Sequence, residues 1–165
     1  QNRLPLYNLR MNNLSAVLVR SQIPEIERRV RDGRAGHDRV AAQLNRSPWL
    51  DVPPALGPEV RAPDSIQFNL VGMSDAEVDA FTDAAAADGV KVQVFGRSAD
   101  NARAFWNWRF IEGGTGELPR TRAMLMRACD VRLPARLTSD ELDFIAGALV
   151  GAAAAAMEAP RAYGT

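Results

Sequence analysis

A run of apolar residues at helical spacing, cut by one proline, opens this chain and limits what it can fold into. Leu14, Val17 and Leu18 share one helical face, and the run then meets Gln22-Ile23-Pro24-Glu25. Proline has no N–H to give and its ring clashes with the preceding turn, so a helix must stop or kink there. Pro24 followed by Glu25 and Glu27 also reads as a fresh start, with proline at the first helical position and acids in the first turn. Ile23, Ile26, Val30, Gly33, His37, Val40 and Leu44 then recur at three- and four-residue spacing and keep one narrow stripe toward a neighbour. The expectation is two helices, or one kinked helix, leading into a domain.

Pro48, Pro53, Pro54, Pro58 and Pro63 make residues 46–64 an extended crossing with no regular element, pinned to the domain by Trp49 and Leu50. Ser65 to Val71 alternates apolar and polar residues, the pattern of a half-buried strand. Ser74-Asp75-Ala76-Glu77 is a capping box. The helix it opens turns Val78, Phe81 and Ala85 inward and ends at Asp88-Gly89, where glycine suits the left-handed cap. Val90, Val92 and Val94 alternate with Lys91 and Gln93 as a second strand, so 65–95 is a strand–helix–strand unit with Phe68, Phe81 and Val92 expected at its centre. An aromatic segment (Phe105, Trp106, Trp108, Phe110) and the loop Gly113-Gly114-Thr115-Gly116 follow. Leu118 to Cys129 reads as a short helix, Val131 to Leu133 as a short strand. Thr138 to Glu141 is a second capping box, opening a helix with Leu142, Ile145, Leu149 and Ala152 on one face that ends before Pro160. The fold class expected is α+β: a small sheet covered on one side by helices and preceded by a long kinked lead-in helix. The divisions are 1–45, 46–64, 65–158 and a frayed tail, 159–165.

Composition excludes several functions. With 165 residues, 47% of them hydrophobic, the chain can bury one core. Twenty basic residues balance 20 acidic ones, leaving no electrostatic footprint for nucleic acid or an anionic membrane. The longest apolar run, Phe144 to Met157, falls short of the roughly 20 residues that span a bilayer. A lone cysteine, Cys129, forbids an internal disulfide and fits a reducing cytoplasm. With one histidine and one cysteine, no metal site is visible. The start at Gln1 reads as a fragment or a processed piece.

Tyr7-Asn8-Leu9-Arg10-Met11, then Ala16, Gln22 and a long arginine-rich helix, resembles a segment of the DegT-type sugar aminotransferases, which depend on pyridoxal phosphate. Val131-Arg132-Leu133-Pro134-Ala135-Arg136-Leu137-Thr138 with Asp140-Glu141 resembles that family's closing turn and last helix. Leu6 stands where the family usually has glycine, and the closing turn lacks its frequent histidine–proline pair. The resemblance covers most of this chain, but as the C-terminal part of a fold-type-I enzyme. Residues 1–45 would then be the end of the large-domain segment and the linking helix, and 65–158 the small domain. It implies a homodimer, a small-molecule keto substrate and an amino donor, with an amino group passed to a keto-sugar or related keto compound.

That chemistry needs a Schiff-base lysine and an acid that keeps the pyridine nitrogen protonated. The resemblance puts both upstream, on the N-terminal large domain, so no catalytic residue is expected in this chain. Lys91, its single lysine, is expected to face solvent from mid-strand. By the resemblance, Asn8 reaches the cofactor phosphate of the partner subunit, while Tyr7 and Arg10 are candidates for the substrate. By its residues alone, Asn8 reads first as a turn asparagine capping the helix that starts near Met11, and Arg10 at least as readily as a structural ion pair. His37, on the apolar stripe, reads as a packed, hydrogen-bonded helix histidine rather than a base. The aromatic segment reads first as core packing, with a substrate mouth or dimer seal as alternatives. The glycine loop lacks the Lys-Ser/Thr of a phosphate loop. The rival reading is a non-catalytic α+β module for dimerisation or ligand binding; a homologue that has lost its lysine is a third.

Overall fold

The computed structural model describes residues 11–158. The lead-in is kinked where proline demands it. Helix α1 (Asn13–Arg20) stops, a short 3-10 turn spans Ile23–Glu25 with Pro24 in its first positions, and helix α2 runs over Ile26–Leu44. Gly33, His37, Val40 and Leu44 form the buried stripe of α2. Gly33 has a steric reason to be glycine in mid-helix: a Cβ there would stand 2.6 Å from the Pro63 carbonyl oxygen. The stripe holds only from Gly33 onward. Ile23, Ile26 and the whole face of Leu14, Val17 and Leu18 are exposed, because among the described residues no other element reaches back to cover them.

The proline-rich crossing departs from the expectation that it would hold no regular element. Leu50–Asp51 forms a short strand β1, paired antiparallel with Leu70 and Asn69 of β2 (Ser65–Leu70). Asn45 fixes the approach by accepting the Val52 N–H at 2.8 Å. Trp49 is half-buried against the core and Leu50 fully so, the pinning role expected of both.

The sheet order is β1-β2-β4-β3, with helix α3 (Asp75–Ala87) connecting β2 to β3 (Gln93–Val94). Strand β4 (Ala128–Arg132) enters between them, antiparallel to both, so β2 and β3 run parallel to each other. Ser74 accepts from the Glu77 N–H and Glu77 returns to the Ser74 N–H, completing the expected capping box. Gly89 ends that helix region at φ 80°.

Three boundaries differ from expectation. Strand β3 begins at Gln93 rather than Val90, because the Val90 N–H turns back to the Ala85 carbonyl at 2.8 Å and extends the helix cap. Helix α4 covers Pro119–Leu125 and goes no further, since 128–132 pairs along its whole length with β2. Strand β4 therefore starts at Ala128, ahead of the expected 131–133. Val92 is only half-buried; the place beside Phe68 goes to Cys129, in register with both Phe68 and Val94.

Helix α5 (Ser139–Glu158) closes the domain, with Thr138 and Glu141 exchanging the bonds of the second capping box. Ala146, Ala152, Ala153 and Ala156 on its buried face let α3 and α2 pack close beside it. One face of the sheet (Ile66, Phe68, Leu70, Val94, Cys129 and Val131) joins these helices in the core. The other face carries Gln67, Asn69 and Gln93. The architecture is the α+β arrangement expected.

Candidate functional site

The candidate cofactor and substrate residues, Tyr7, Asn8 and Arg10, lie outside the described residues. The first helix after them has its own cap: Asn12 accepts the Ser15 N–H at 2.8 Å. The capping role at α1 is thus taken by Asn12. What α1 displays is apolar. Leu14 is 72% exposed and Val17 66%, and Met11, Leu18, Ile23 and Ile26 are each more than half exposed along the same lead-in. No residue of α1 is buried. Exposed apolar residues gathered along one element are the kind of surface against which another body can pack.

Lys91 is exposed at the edge of the sheet, before β3. His37 is buried between α2 and the proline-rich crossing, where its Nδ1 lies 3.2 Å from Asp38 Oδ1. It borders two cavities, of about 300 and 500 Å³, whose shared walls are Pro53, Glu59, Arg61 and Pro63. Arg61 ties that wall together by donating to Glu59 and to the Pro53 and Pro54 carbonyls. Cys129 is buried under the helices, and desolvation pushes its thiol up to about 12, so it is a packing residue and not a nucleophile.

The aromatic segment divides. Phe105 joins Phe95 and Leu125 in a satellite core, with Trp106 edge-on to Phe105 and the Arg122 guanidinium 4.3 Å from the Trp106 ring centre. Trp108 and Phe110 stack at 5.7 Å on the outside and remain exposed.

Sequence reasoning missed the network that fastens this satellite to the main domain. Arg97 pairs with Asp79 and donates to the Asp75 carbonyl at 2.8 Å; Arg127 pairs with the Asp75 carboxylate at 2.8 Å and donates to the Met73 carbonyl at 2.7 Å. The acids of the first turn of α3 were the available signal; their partners are distant in sequence. The Arg127 hydrogen bond, with its charge and that of Arg97, holds the Asp75 carboxyl below its ordinary value. A depressed carboxylate contributes stability above its unfolded pKa and loses it as pH falls through the folded one. Asp75→Asn should thus melt below wild type at neutral pH, and the gap should narrow as pH falls below the ordinary aspartate range. Thermal melts from pH 7 to 2 check this; a constant gap would contradict it.

Among the described residues no group of three histidine, cysteine or acidic side chains is placed to hold a metal, and no helix is long and apolar enough to cross a membrane.

No family model matches this chain, and no curated protein matches it in sequence. Solved structures do match in shape. The aminotransferase TlmJ from Streptoalloteichus hindustanus superposes over 88% of this chain at a TM-score of 0.71 and 17% identity. The apo-form of the sugar aminotransferase Spr1654 from Streptococcus pneumoniae covers 93% at 0.74 and 16%. A DegT DnrJ EryC1 StrS aminotransferase from Brucella abortus covers 86% at 0.67 and 14%. The chain has the fold of a DegT-type aminotransferase C-terminal domain. At such identities the likeness concerns the fold. The chain spans 37% of the length of TlmJ and 38% of that of Spr1654, the latter also solved in PLP- and PMP-forms.

Proposed function

We propose that this chain is the C-terminal part of a pyridoxal-phosphate-dependent aminotransferase that passes an amino group to a keto-sugar or a related keto compound. The observation that carries the reading is the likeness of fold to solved aminotransferases over 86–93% of this chain. Residues 1–45 are the end of the large-domain segment and the linking helix, 46–64 the crossing, and 65–158 the small domain. The large domain is the body that covers the apolar lead-in. It also supplies the lysine and the acid that the cofactor needs.

The described residues do not themselves fit pyridoxal phosphate: Lys91 stands exposed at a sheet edge beside a valine run. No step through the cofactor is assigned to them. Asn8 is the residue of this chain we place at the cofactor, donating its amide N–H to the phosphate held by the neighbouring subunit of a cytoplasmic homodimer. Tyr7 and Arg10 sit on the substrate side, where a guanidinium suits an acidic group.

Treating this chain alone with pyridoxal phosphate and borohydride should leave no stoichiometric adduct at Lys91. A clean adduct lost in Lys91→Ala, together with an activity, would contradict that. The function itself is tested on the intact polypeptide that carries this chain. It should bind pyridoxal phosphate stoichiometrically and move an amino group from a donor such as glutamate to a keto-sugar. A polypeptide that folds and dimerises without binding the cofactor would overturn the reading and leave a non-catalytic dimerisation or ligand-binding module.

A further inference from the structure

Strand β3 pairs with β4 over two residues only, Gln93 with Asp130 and Val94 with Cys129. One step further the ladder opens. The Val90 N–H is given to the Ala85 carbonyl at the end of α3, which draws the run from Gly89 to Val92 off the line of β4. In an unbroken ladder Val92 and Lys91 would stand opposite Val131 and Arg132. The space between the parted segments is a cleft of about 1040 Å³, walled by residues 89–94 on one side, by 130–132 on the other, and by Phe144 and Ile145 of α5. A recess of that volume suits a small molecule.

The apolar part of the wall is Val90, Val92, Val131 and Ile145, with Phe144 left 60% exposed. The charged part is uneven. Both acids have partners: Asp79 pairs with Arg97, and Asp130 is buried and accepts from Ser65 Oγ at 2.8 Å. Arg97 is held by Asp79 and the Asp75 carbonyl. Arg132 meets Asp64 in a pair whose two members both stand out in solvent, a contact of little strength. Lys91 meets no acid among the described residues. The parting of the strands thus leaves two weakly committed cations, Lys91 and Arg132, at one mouth. A second sign points the same way. Among the described residues one buried polar side-chain atom lacks a partner, the Nε–H donor of Arg97, and Arg97 belongs to this wall.

We propose that this cleft binds a small monocarboxylate with an alkyl or aryl body. The hydrocarbon lies against Val92 and Phe144, and the carboxylate sits between Lys91 and Arg132. The lysine supplies a point charge on a flexible stem, and the arginine a planar fork that matches a carboxylate. The occupant is a free molecule and not a membrane lipid. The recess lies between two segments of the sheet edge, and with 20 basic and 20 acidic residues the chain carries no net charge to hold it at an anionic surface. The site goes beyond the aminotransferase reading and gives the cofactor no part.

Octanoate, octylammonium and acetate, titrated into the isotopically labelled 165-residue chain and followed through its amide resonances, test this. The apolar lead-in is a second surface able to take up hydrocarbon, so every chain carries Leu14→Glu and Val17→Glu. Octanoate should shift the amides of 89–94 and 130–132 and saturate. Octylammonium, with the same body and the opposite charge, and acetate, without the body, should each bind about 10-fold more weakly or worse. Lys91→Gln should weaken octanoate by about 2- to 5-fold. Phe144→Glu changes an exposed residue, so the fold is kept, and it sets a negative charge in the wall; it should weaken octanoate by about 10-fold or more. No saturable shift, equal binding of octanoate and octylammonium, or binding indifferent to both substitutions would overturn the proposal. No cofactor takes part, so the outcome stands apart from the aminotransferase reading.

Discussion

Phe81→Ala is expected to lower the stability of this domain by about 3–5 kcal/mol. The ring is fully buried on α3 and meets Phe68 edge-on at 6.3 Å between centres, where sheet and helices come together. Removing it strips contacts from β2 and leaves a hole that α3 can close only by shifting against α5, with which it packs. A domain of this size is stable by roughly 5–15 kcal/mol, so the loss is a large share of the total. Denaturant melts measure it. A cost well under about 1 kcal/mol would mean that α3 turns another face to the sheet.

Leu14→Glu with Val17→Glu is expected to do the opposite: nearly nothing to this chain alone, and, on the proposed function, a great deal to the intact polypeptide that carries it. Both side chains project from a helix that buries nothing, so melting of the 165-residue chain should move within about 0.5 kcal/mol. If the large domain covers the stripe, two buried apolar side chains become two charges. Their lost burial alone is about 3 kcal/mol or more, on the order of 100-fold in the docking equilibrium. Limited proteolysis of the intact protein should then cut near the lead-in helix. Equal resistance in wild type and variant would mean that the stripe faces solvent there too.

What could be read from the sequence was what neighbouring residues decide among themselves. The Ser74–Glu77 and Thr138–Glu141 boxes involve side chains and amides three residues apart, and both are in place. The break at Pro24 and the left-handed end at Gly89 follow from single residues. What failed depended on partners distant in the chain. Strand β1 exists because Leu70 and Asn69 lie beside it, and nothing between Pro48 and Pro53 announces that. Ala128 joins a strand because β2 pairs with it, although the preceding residues favour a helix. The exposed face of α1 carries the same helical spacing as the buried stripe of α2. Periodicity finds an apolar face but does not say whether this chain covers it. The Arg97–Asp75–Arg127 network was out of reach for the same reason. Of the candidate site, the sequence offered Asn8 through a resemblance; the structure contributes Asn12, which takes the capping role at α1.

Asn8 is also where the account is tested most directly. Aspartate caps a helix as well as asparagine, but at a phosphate it replaces a donor with a negative charge. In the intact polypeptide that carries this chain, titrated with pyridoxal phosphate at fixed salt, Asn8→Asp should, on the proposed function, bind the cofactor clearly more weakly than wild type. Asn8→Ala should fall between them, and the apo forms should melt together. Equal cofactor affinity in wild type and Asn8→Asp would contradict the placing of this segment at a neighbouring subunit's phosphate.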